Sequence, residues 1–272
     1  MTASKIKFIA TDMDGTLLDE QGQLPAQFPA LFQRLKSQGI LFAAASGRQY
    51  YSLRDTFADY QDEMLFIAEN GTMVMHQDKE LYSCTLDSAS VPDIIRQARA
   101  ISGAFIVLCG KKGAYIETQD PKALAEISKY YHRCQYVDDL LSVEDEFIKV
   151  ALLHFNGSEA HIDPVIRPVF GEDFQVVVSA KIWLDVMNKV ASKGAAIHHL
   201  QQTMNFTFEQ TMSFGDYFND VEMLKESYYS YAMENAHPDV KELARFSAPS
   251  NTEDGVIKAV NAFLDAELSV AK

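Results

Sequence analysis

Apolar residues fall along this chain in short continuous runs that alternate with longer stretches of helical spacing. Ile6 to Ala10, Ile40 to Ala45 and Met64 to Ala68 are runs of the first kind. Runs of that length and density read as strands buried on both faces of a sheet. Between the first two, Phe28, Leu31, Phe32 and Leu35 recur at helical spacing and Gly39 closes the helix. Strand, helix and strand in that order predict a right-handed parallel unit. Asp19 to Pro25 is polar around Gly22 and is expected to form a small flap. Thr72 to Met75 and Leu81 to Cys84 add further strands after Glu69-Asn70-Gly71. That tripeptide reads either as a turn or as a loop facing a site.

From about Asp87 to Asn188 the rhythm changes. A helix over Val91 to Ile101 leads to the strand Phe105 to Cys109, and Gly110-Lys111-Lys112-Gly113 predicts a hairpin into Ala114 to Glu117. A second helix (Pro121 to His132) precedes a long strand (Phe147 to Phe155), and a helix around Ala160 to Phe170 precedes the strands Phe174 to Val178 and Ile182 to Met187. Helices mixed with adjacent strand pairs imply an α+β unit on an antiparallel sheet. The parallel rhythm then resumes: a helix opening at Ser192-Lys193-Gly194, a strand at Thr211 to Phe214, a helix from Val221, a strand at Tyr229 to Met233, a helix at Pro238 to Ala244, a strand at Phe246 to Ala248, and a helix from Gly255. The expected fold class is therefore α/β, a Rossmann-like parallel-sheet core of residues 1–86 and 188–272 with an inserted α+β domain over 87–187.

A length of 272 residues suits one main domain carrying a smaller insert, and 47% hydrophobic residues suffice for a sizeable core. Lysine and arginine number 24 against 38 aspartate and glutamate, a net charge of −14. That balance argues against nonspecific nucleic-acid binding, which needs clustered positive charge. An anionic substrate then requires a cation and local basic residues to invert the field at its site. Cys84, Cys109 and Cys134 are odd in number and lack metal-ligand spacing. The first residues show no long leader core, and no apolar run approaches a membrane span. The expectation is a cytoplasmic protein with no membrane association and no obligate protein partner.

Chemistry concentrates where the first strand ends, in Thr11-Asp12-Met13-Asp14-Gly15-Thr16-Leu17-Leu18. Two carboxylates spaced i and i+2 share a face of a continued strand and repel. A loop at the strand end, with a divalent cation between them, removes the repulsion, and hard cations such as Mg²⁺ take oxygen ligands of this kind. Ser46-Gly47-Arg48 follows the second strand directly. In a parallel sheet it lies at the same edge as Asp12, where a hydroxyl, free N–H groups and a helix start receive phosphate oxygens.

The Asp-x-Asp-Gly-Thr-Leu-Leu stretch, Ala45-Ser46-Gly47-Arg48, Ser192-Lys193-Gly194 and Gly215-Asp216-Tyr217-Phe218-Asn219-Asp220 resemble, in order, the four signatures of the haloacid dehalogenase-like (HAD) phosphohydrolases. The match spans essentially the whole chain. The insert lies between the second and third signatures, and its pattern is similar to the C2B cap of the Cof-type subfamily. Asn70-Gly71, Gln49-Tyr50-Tyr51 and Tyr131-His132-Arg133 look like the bacterial sugar phosphatases of that subfamily. The resemblance implies a Mg²⁺-dependent phosphatase for small phosphate esters, with sugar phosphates as the expected class. It implies Asp12 as nucleophile, forming an aspartyl-phosphate, and Asp14 as general acid and base. Mg²⁺ would bind Asp12, the Asp14 main-chain carbonyl and Asp216, with Asp220 either a direct ligand or an orienting neighbour. Lys193 would supply fixed positive charge. Ser46, the Met13 and Gly47 N–H groups and Asn219 would hold the other phosphoryl oxygens. Arg48 and Asn70 would contact substrate from the core side, and Tyr131, His132 and Arg133 from the cap. Two departures stand out: Tyr217-Phe218 where small residues are common, and Met233-Glu234-Asn235-Ala236 in place of Met-Gly-Asn-Ala.

Other conspicuous residues have plainer readings. His198-His199 lack the i, i+4 spacing of a metal pair. Trp183 is expected to pack the cap, and the Asp138-Asp139 and Glu144-Asp145-Glu146 runs to be solvated loop charge. Two other functions fit part of the pattern. A phospho-acceptor signalling receiver also sets a phosphorylated aspartate and a lysine on a parallel sheet, but lacks both an acid/base residue at the position of Asp14 and a cap of this size. A phosphosugar mutase of the same superfamily shares all four signatures and differs in its product.

Overall fold

The structure, a computed structural model, describes residues 6–270; residues 1–5, inspected above for a leader, lie outside them. The chain runs β1 (Phe8–Thr11), α1 (Phe28–Ser37), β2 (Leu41–Ala45), α2 (Tyr50–Thr56), β3 (Leu65–Ala68), β4 (Met73–His76) and β5 (Lys79–Ser83). The insert follows with α3 (Val91–Arg99), β6 (Ala104–Gly110), β7 (Ala114–Ile116), α4 (Pro121–Ile127), β8 (Cys134–Tyr136), β9 (Phe147–His154), α5 (Ser158–His161), α6 (Asp163–Phe170), β10 (Phe174–Ala180) and β11 (Trp183–Asn188). Then come α7 (Lys193–Met204), β12 (Thr211–Gly215), α8 (Val221–Lys225), β13 (Tyr229–Met233), α9 (Pro238–Leu243), β14 (Phe246–Ala248) and α10 (Gly255–Val270).

Among the described residues the strands form two sheets. The first has the order β14-β13-β12-β1-β2-β3-β4-β5 and is parallel from β14 to β3. β1 lies between β2, which follows it, and β12, which arrives after the insert. The chain therefore leaves β1 toward opposite sides of the sheet, and the crevice beyond its carboxyl end is the topological switch point where open α/β sheets bind ligands. Asp12 stands there, its N–H still extending the ladder to the Phe214 carbonyl at 3.0 Å. The apolar runs are covered on both faces: Phe8 and Ala10 pack with Ile197 and Leu200 of α7, while Ile9 packs with the side that holds Phe28 and Leu31 of α1.

The second sheet, β10-β11-β9-β6-β7-β8, belongs wholly to the insert. One face, with Ile106, Leu108, Val150, Leu152, Leu184 and Val186, is covered by apolar residues of α3 and α6. The opposite face, with Val107, Cys109, Ala151, Leu153 and Trp183, joins the apolar cluster of the core. This sheet is mixed rather than antiparallel, because β8 pairs with β7 in parallel. The three-residue strand Cys-Gln-Tyr offers too few positions for alternation to show, and the helix expected to reach His132 ends at Ile127. Beyond it Tyr130 and Tyr131 turn inward onto Trp183, with ring centroids 5.9 and 6.2 Å away. The two strands joining insert to core are tied where they pass, Asn188 Nδ2 donating to the Thr85 carbonyl at 2.8 Å.

Candidate active site

The loop after β1 folds back on itself. The Leu17 and Leu18 N–H groups donate to the Met13 carbonyl at 3.1 and 2.9 Å, which turns the Asp12 and Asp14 side chains apart. Gly15 takes φ +85°, and a Cβ there would stand 2.5 Å from Asp216 Oδ2. Glycine is therefore required both for the turn and for the approach of that carboxylate. Asp216 is fixed from the other side by the Thr16 hydroxyl, which donates to Oδ1 at 2.8 Å. Asn235 donates to the Gly15 carbonyl at 2.7 Å, so the Met-Glu-Asn-Ala variant keeps the asparagine that braces the loop.

Lys193 enters at the N-terminus of α7, whose first turn is capped by the Ser192 hydroxyl accepting from the Ala195 N–H at 2.9 Å. Its side chain is fully buried, with Nζ 2.5 Å from Asp12 Oδ1 and 2.7 Å from Asp220 Oδ1. Asp220 Oδ2 accepts from the Asp216 and Tyr217 N–H groups at 2.9 and 3.2 Å. Burial opposes the lysine's charge, but Asp12 and Asp220 outweigh it and push its pKa up. Burial, then Asp220, push the Asp12 carboxyl well above its ordinary range, while Lys193 opposes. Asp216 is pushed up to about 6, chiefly by burial and then by Asp220.

Asp12, Asp216 and Asp220 can each place one carboxylate oxygen within 4.8 Å of the others. Three converging hard-oxygen donors, two of them pushed toward protonation by burial and then by the neighbouring Asp220 carboxylate, fit a divalent cation such as Mg²⁺. Asp14 is not part of this trio. Its carboxylate forms a two-point ion pair with Arg48, Oδ2 accepting from Nε at 2.8 Å and Oδ1 from Nη2. Both line the same cavity, so Arg48 meets Asp14 where the sequence had it meeting substrate.

Ser46, Gly47, Asn70 and Asn219 converge beside the trio. The Arg48 N–H donates to the Ser46 hydroxyl at 3.1 Å, and the Asn70 N–H to the Ser46 carbonyl at 2.9 Å. Asn70 sits at φ +58°, in a turn whose next residue, Gly71, lies so close to the Ser192 carbonyl that a Cβ would collide with it. Both readings of Glu69-Asn70-Gly71 are thus met, since this turn faces the site. Asn219 Nδ2 donates to Asn70 Oδ1 at 3.2 Å.

The cavity of about 500 Å³ is roofed by the insert through Tyr130, Tyr131, Lys149, Ser179, Trp183 and Asp185. Trp183 both packs the cap, at 6% exposure, and lines the cavity. His132 and Arg133 turn instead to the core. Gln49 holds the Arg133 backbone by two 2.9 Å hydrogen bonds, Arg133 donates to the Tyr51 hydroxyl at 2.9 Å, and His132 lies 2.7 Å from Asp55. Asp145 is not idle loop charge, since it accepts from the Tyr115 hydroxyl at 2.9 Å. His198 and His199 stay apart from the site, one beside Glu226 and the other against Tyr82.

Sequence reasoning gave Lys149, Ser179 and Asp185 no role, and saw Glu69 only as part of its turn. The available signal was a single charge inside an apolar run, Lys149 in Phe147 to Phe155 and Asp185 in Ile182 to Met187.

Comparison with known proteins agrees with this geometry. The model of the haloacid dehalogenase-like hydrolase family matches residues 9–260. The chain is 32% identical over 264 residues to the 5-amino-6-(5-phospho-D-ribitylamino)uracil phosphatase YbjI of Escherichia coli K12, covering 96% of this chain and 97% of that one. The crystal structure of SMU.1108c from Streptococcus mutans UA159 superposes with a TM-score of 0.87 at 30% identity, covering 96% of this chain and 100% of the other. The HAD subclass IIB sugar phosphatase BT4131 shares the fold, with a TM-score of 0.81 at 21% identity over 94% of this chain and 98% of that one. Among the described residues no helix is long and apolar enough to cross a membrane. With its acidic trio at the switch point of a parallel core sheet and a mixed-sheet cap above it, the chain belongs to the haloacid dehalogenase-like hydrolases and is a phosphatase of that family on small phosphate esters.

Proposed function

We propose that this phosphatase hydrolyses monophosphate esters of sugars and related polyols with Mg²⁺ as cofactor, carrying the phosphoryl group transiently on Asp12. The observation that supports it most is Lys193 buried between Asp12 and Asp220, with Asp12 lining a cavity whose roof comes from the cap. A relative acting on a phosphorylated ribityl chain and a fold relative described as a sugar phosphatase favour the same substrate class.

Asp12 and Asp216, with the Asp14 main-chain carbonyl, would hold Mg²⁺, and Asp220, whose two oxygens are engaged by Lys193 and two N–H groups, braces them. When bound, Mg²⁺ neutralises carboxylate and phosphoryl charge and orients the ester for in-line attack. The Asp12 carboxylate attacks phosphorus, and the bond from phosphorus to the ester oxygen breaks. Asp14 gives its proton to the departing oxygen. It then takes one from a water that attacks the same phosphorus, and the bond to Asp12 breaks to release phosphate. Lys193 supplies fixed positive charge beside Asp12 and opposes the upward push that burial and Asp220 exert on that carboxyl. Ser46, the Met13 and Gly47 N–H groups and Asn219 hold the remaining oxygens. Arg48 orients Asp14 until substrate enters, and Asn70 links the phosphate-binding segment to the cap. The cap, residues 87–187, covers the ester and excludes water. Three free cysteines accord with a reducing, cytoplasmic setting.

The test is phosphate release from a panel of sugar and polyol phosphates, with Mg²⁺ and with excess chelator. Asp12→Asn should reduce release to background while the fold survives, and acid-quenched wild type should carry phosphate on the peptide containing Asp12. Label on another residue, or full activity in chelator, would overturn the mechanism. Isomerised sugar phosphate in place of free phosphate would identify a mutase instead.

A further inference from the structure

The cap brings a second polar cluster to the cavity that the phosphoryl chemistry does not use. In the antiparallel pairing of β9 with β11, Asp185 lies opposite Ala151, so Lys149, two residues earlier, is its diagonal neighbour on the same face. Glu69 meets them from the core turn. Lys149 Nζ is 2.5 Å from Glu69 Oε2, 3.4 Å from the Gly47 carbonyl and 3.8 Å from Asp185 Oδ2. Exposure is 1% for Glu69, 1% for Lys149 and 4% for Asp185. Glu69 Oε2 touches the ammonium but makes no properly directed hydrogen bond. One ammonium against two carboxylates leaves surplus negative charge in a buried place, where apolar residues would generally serve stability as well or better.

Asp185 lines the cavity shared with Asp12, Asp14 and Ser46. A carboxylate offers about four acceptor positions. Asp185 Oδ2 receives a long 3.4 Å bond from Asn70 Nδ2, and Ser179 lines the same cavity. Acceptor capacity therefore remains on a group at the cavity wall. Its depth is set by Asn70, which accepts from Asn219 at 3.2 Å and stands against Gly47, where a Cβ would lie 3.1 Å from Oδ1. Asp185 is thus one side chain removed from the segment that receives the phosphate. In a bound ester the carbons next to the ester oxygen would lie there. Trp183 and Tyr130 supply an apolar wall alongside.

We infer that Asp185 is a specificity-determining residue whose carboxylate accepts hydrogen bonds from hydroxyl or amine groups on the leaving group, near the ester oxygen, with Lys149 and Glu69 as positioning residues. This deepens the phosphatase reading and rests on it. The surplus negative charge has a second consequence, because it repels leaving groups that carry another phosphate or a carboxylate. The preferred substrates are therefore donor-rich monophosphates that are neutral or cationic beyond the phosphoryl group.

The experiment compares wild type with Asp185→Asn, both with Mg²⁺, on a linear polyol monophosphate, its deoxy analogues, a polyol bisphosphate and p-nitrophenyl phosphate. The ratio of kcat/KM on the polyol monophosphate to that on p-nitrophenyl phosphate should fall about 10- to 100-fold in the variant, the scale of a hydrogen bond to a charged acceptor. The penalty against the bisphosphate should shrink with it. Unchanged ratios in a folded variant overturn the inference alone. If Asp185→Asn fails to fold, Asp185→Glu keeps the charge and moves it by one methylene. It should then change which deoxy analogue is penalised most, and an identical ranking would overturn the inference. A wild type that releases no phosphate from any ester overturns the phosphatase reading and this inference together.

Discussion

Lys193→Met keeps most of the length of the side chain and removes its charge. In the native site the ammonium lies 2.5 and 2.7 Å from carboxylates of Asp12 and Asp220, all three groups buried. At an effective dielectric of about 20, each contact is worth about 6 kcal/mol. Desolvation of the ammonium offsets much of this, and breaking a buried pair typically destabilises by about 3–5 kcal/mol, because a charge is left without its partner. Against a total stability of about 5–15 kcal/mol the variant should still fold. The loss should depend on pH in a defined direction. Asp12 is already pushed up by burial and by Asp220, and losing Lys193 pushes it further. A carboxyl whose folded-state pKa lies above its unfolded value binds protons better in the native state, so its penalty is present at high pH and fades as pH falls. Urea unfolding in chelator, at about pH 8 and about pH 5, should therefore show the variant's deficit shrinking on acidification. Lys193→Met with Asp220→Asn should recover part of the stability but none of the activity, which falls by roughly 10²–10³ or more in either variant. A deficit of equal size at both pH values, or none at the higher one, would refute the reasoning.

Asp14→Asn should lower kcat by roughly 10²–10⁴ on alkyl phosphates. It should lower kcat far less on p-nitrophenyl phosphate, whose leaving group departs without a proton; equal losses would remove the acid role. Because Asp216 is pushed up to about 6, protons compete with Mg²⁺ below that pH. Thermal scans should show stabilisation by Mg²⁺ growing as pH rises through that value and flattening in Asp216→Ala, and a pH-independent shift would contradict the metal assignment. Gln49→Ala removes both hydrogen bonds to the Arg133 backbone. Exchange of the Arg133 amide, followed by mass spectrometry, should quicken by roughly tenfold; unchanged exchange would show that this clasp does not hold the cap.

The sequence by itself determined the centre of the parallel core, because β1, β2 and β3 lie in continuous apolar runs whose burial on both faces is written in their own residues. It also placed Asp12, Ser46, Lys193 and Asp216, since every one follows a strand or opens a helix, and parallel topology sends strand ends to a common edge. Tertiary structure alone decided which oxygens converge. Asp14 and Asp12 are two residues apart, yet one carboxylate meets Arg48 and the other Lys193, because the turn at Met13 separates them. The same holds in the cap. Cys134–Tyr136 becomes a strand only through its partner β7, and no local pattern marks three residues. Lys149 and Asp185 are separate charges in apolar runs until strand register sets them diagonally on one face and the core turn supplies Glu69. Local composition encodes how much of a segment is buried. The identity of the group a buried charge meets depends on register and on packing between domains, which no single stretch of chain contains.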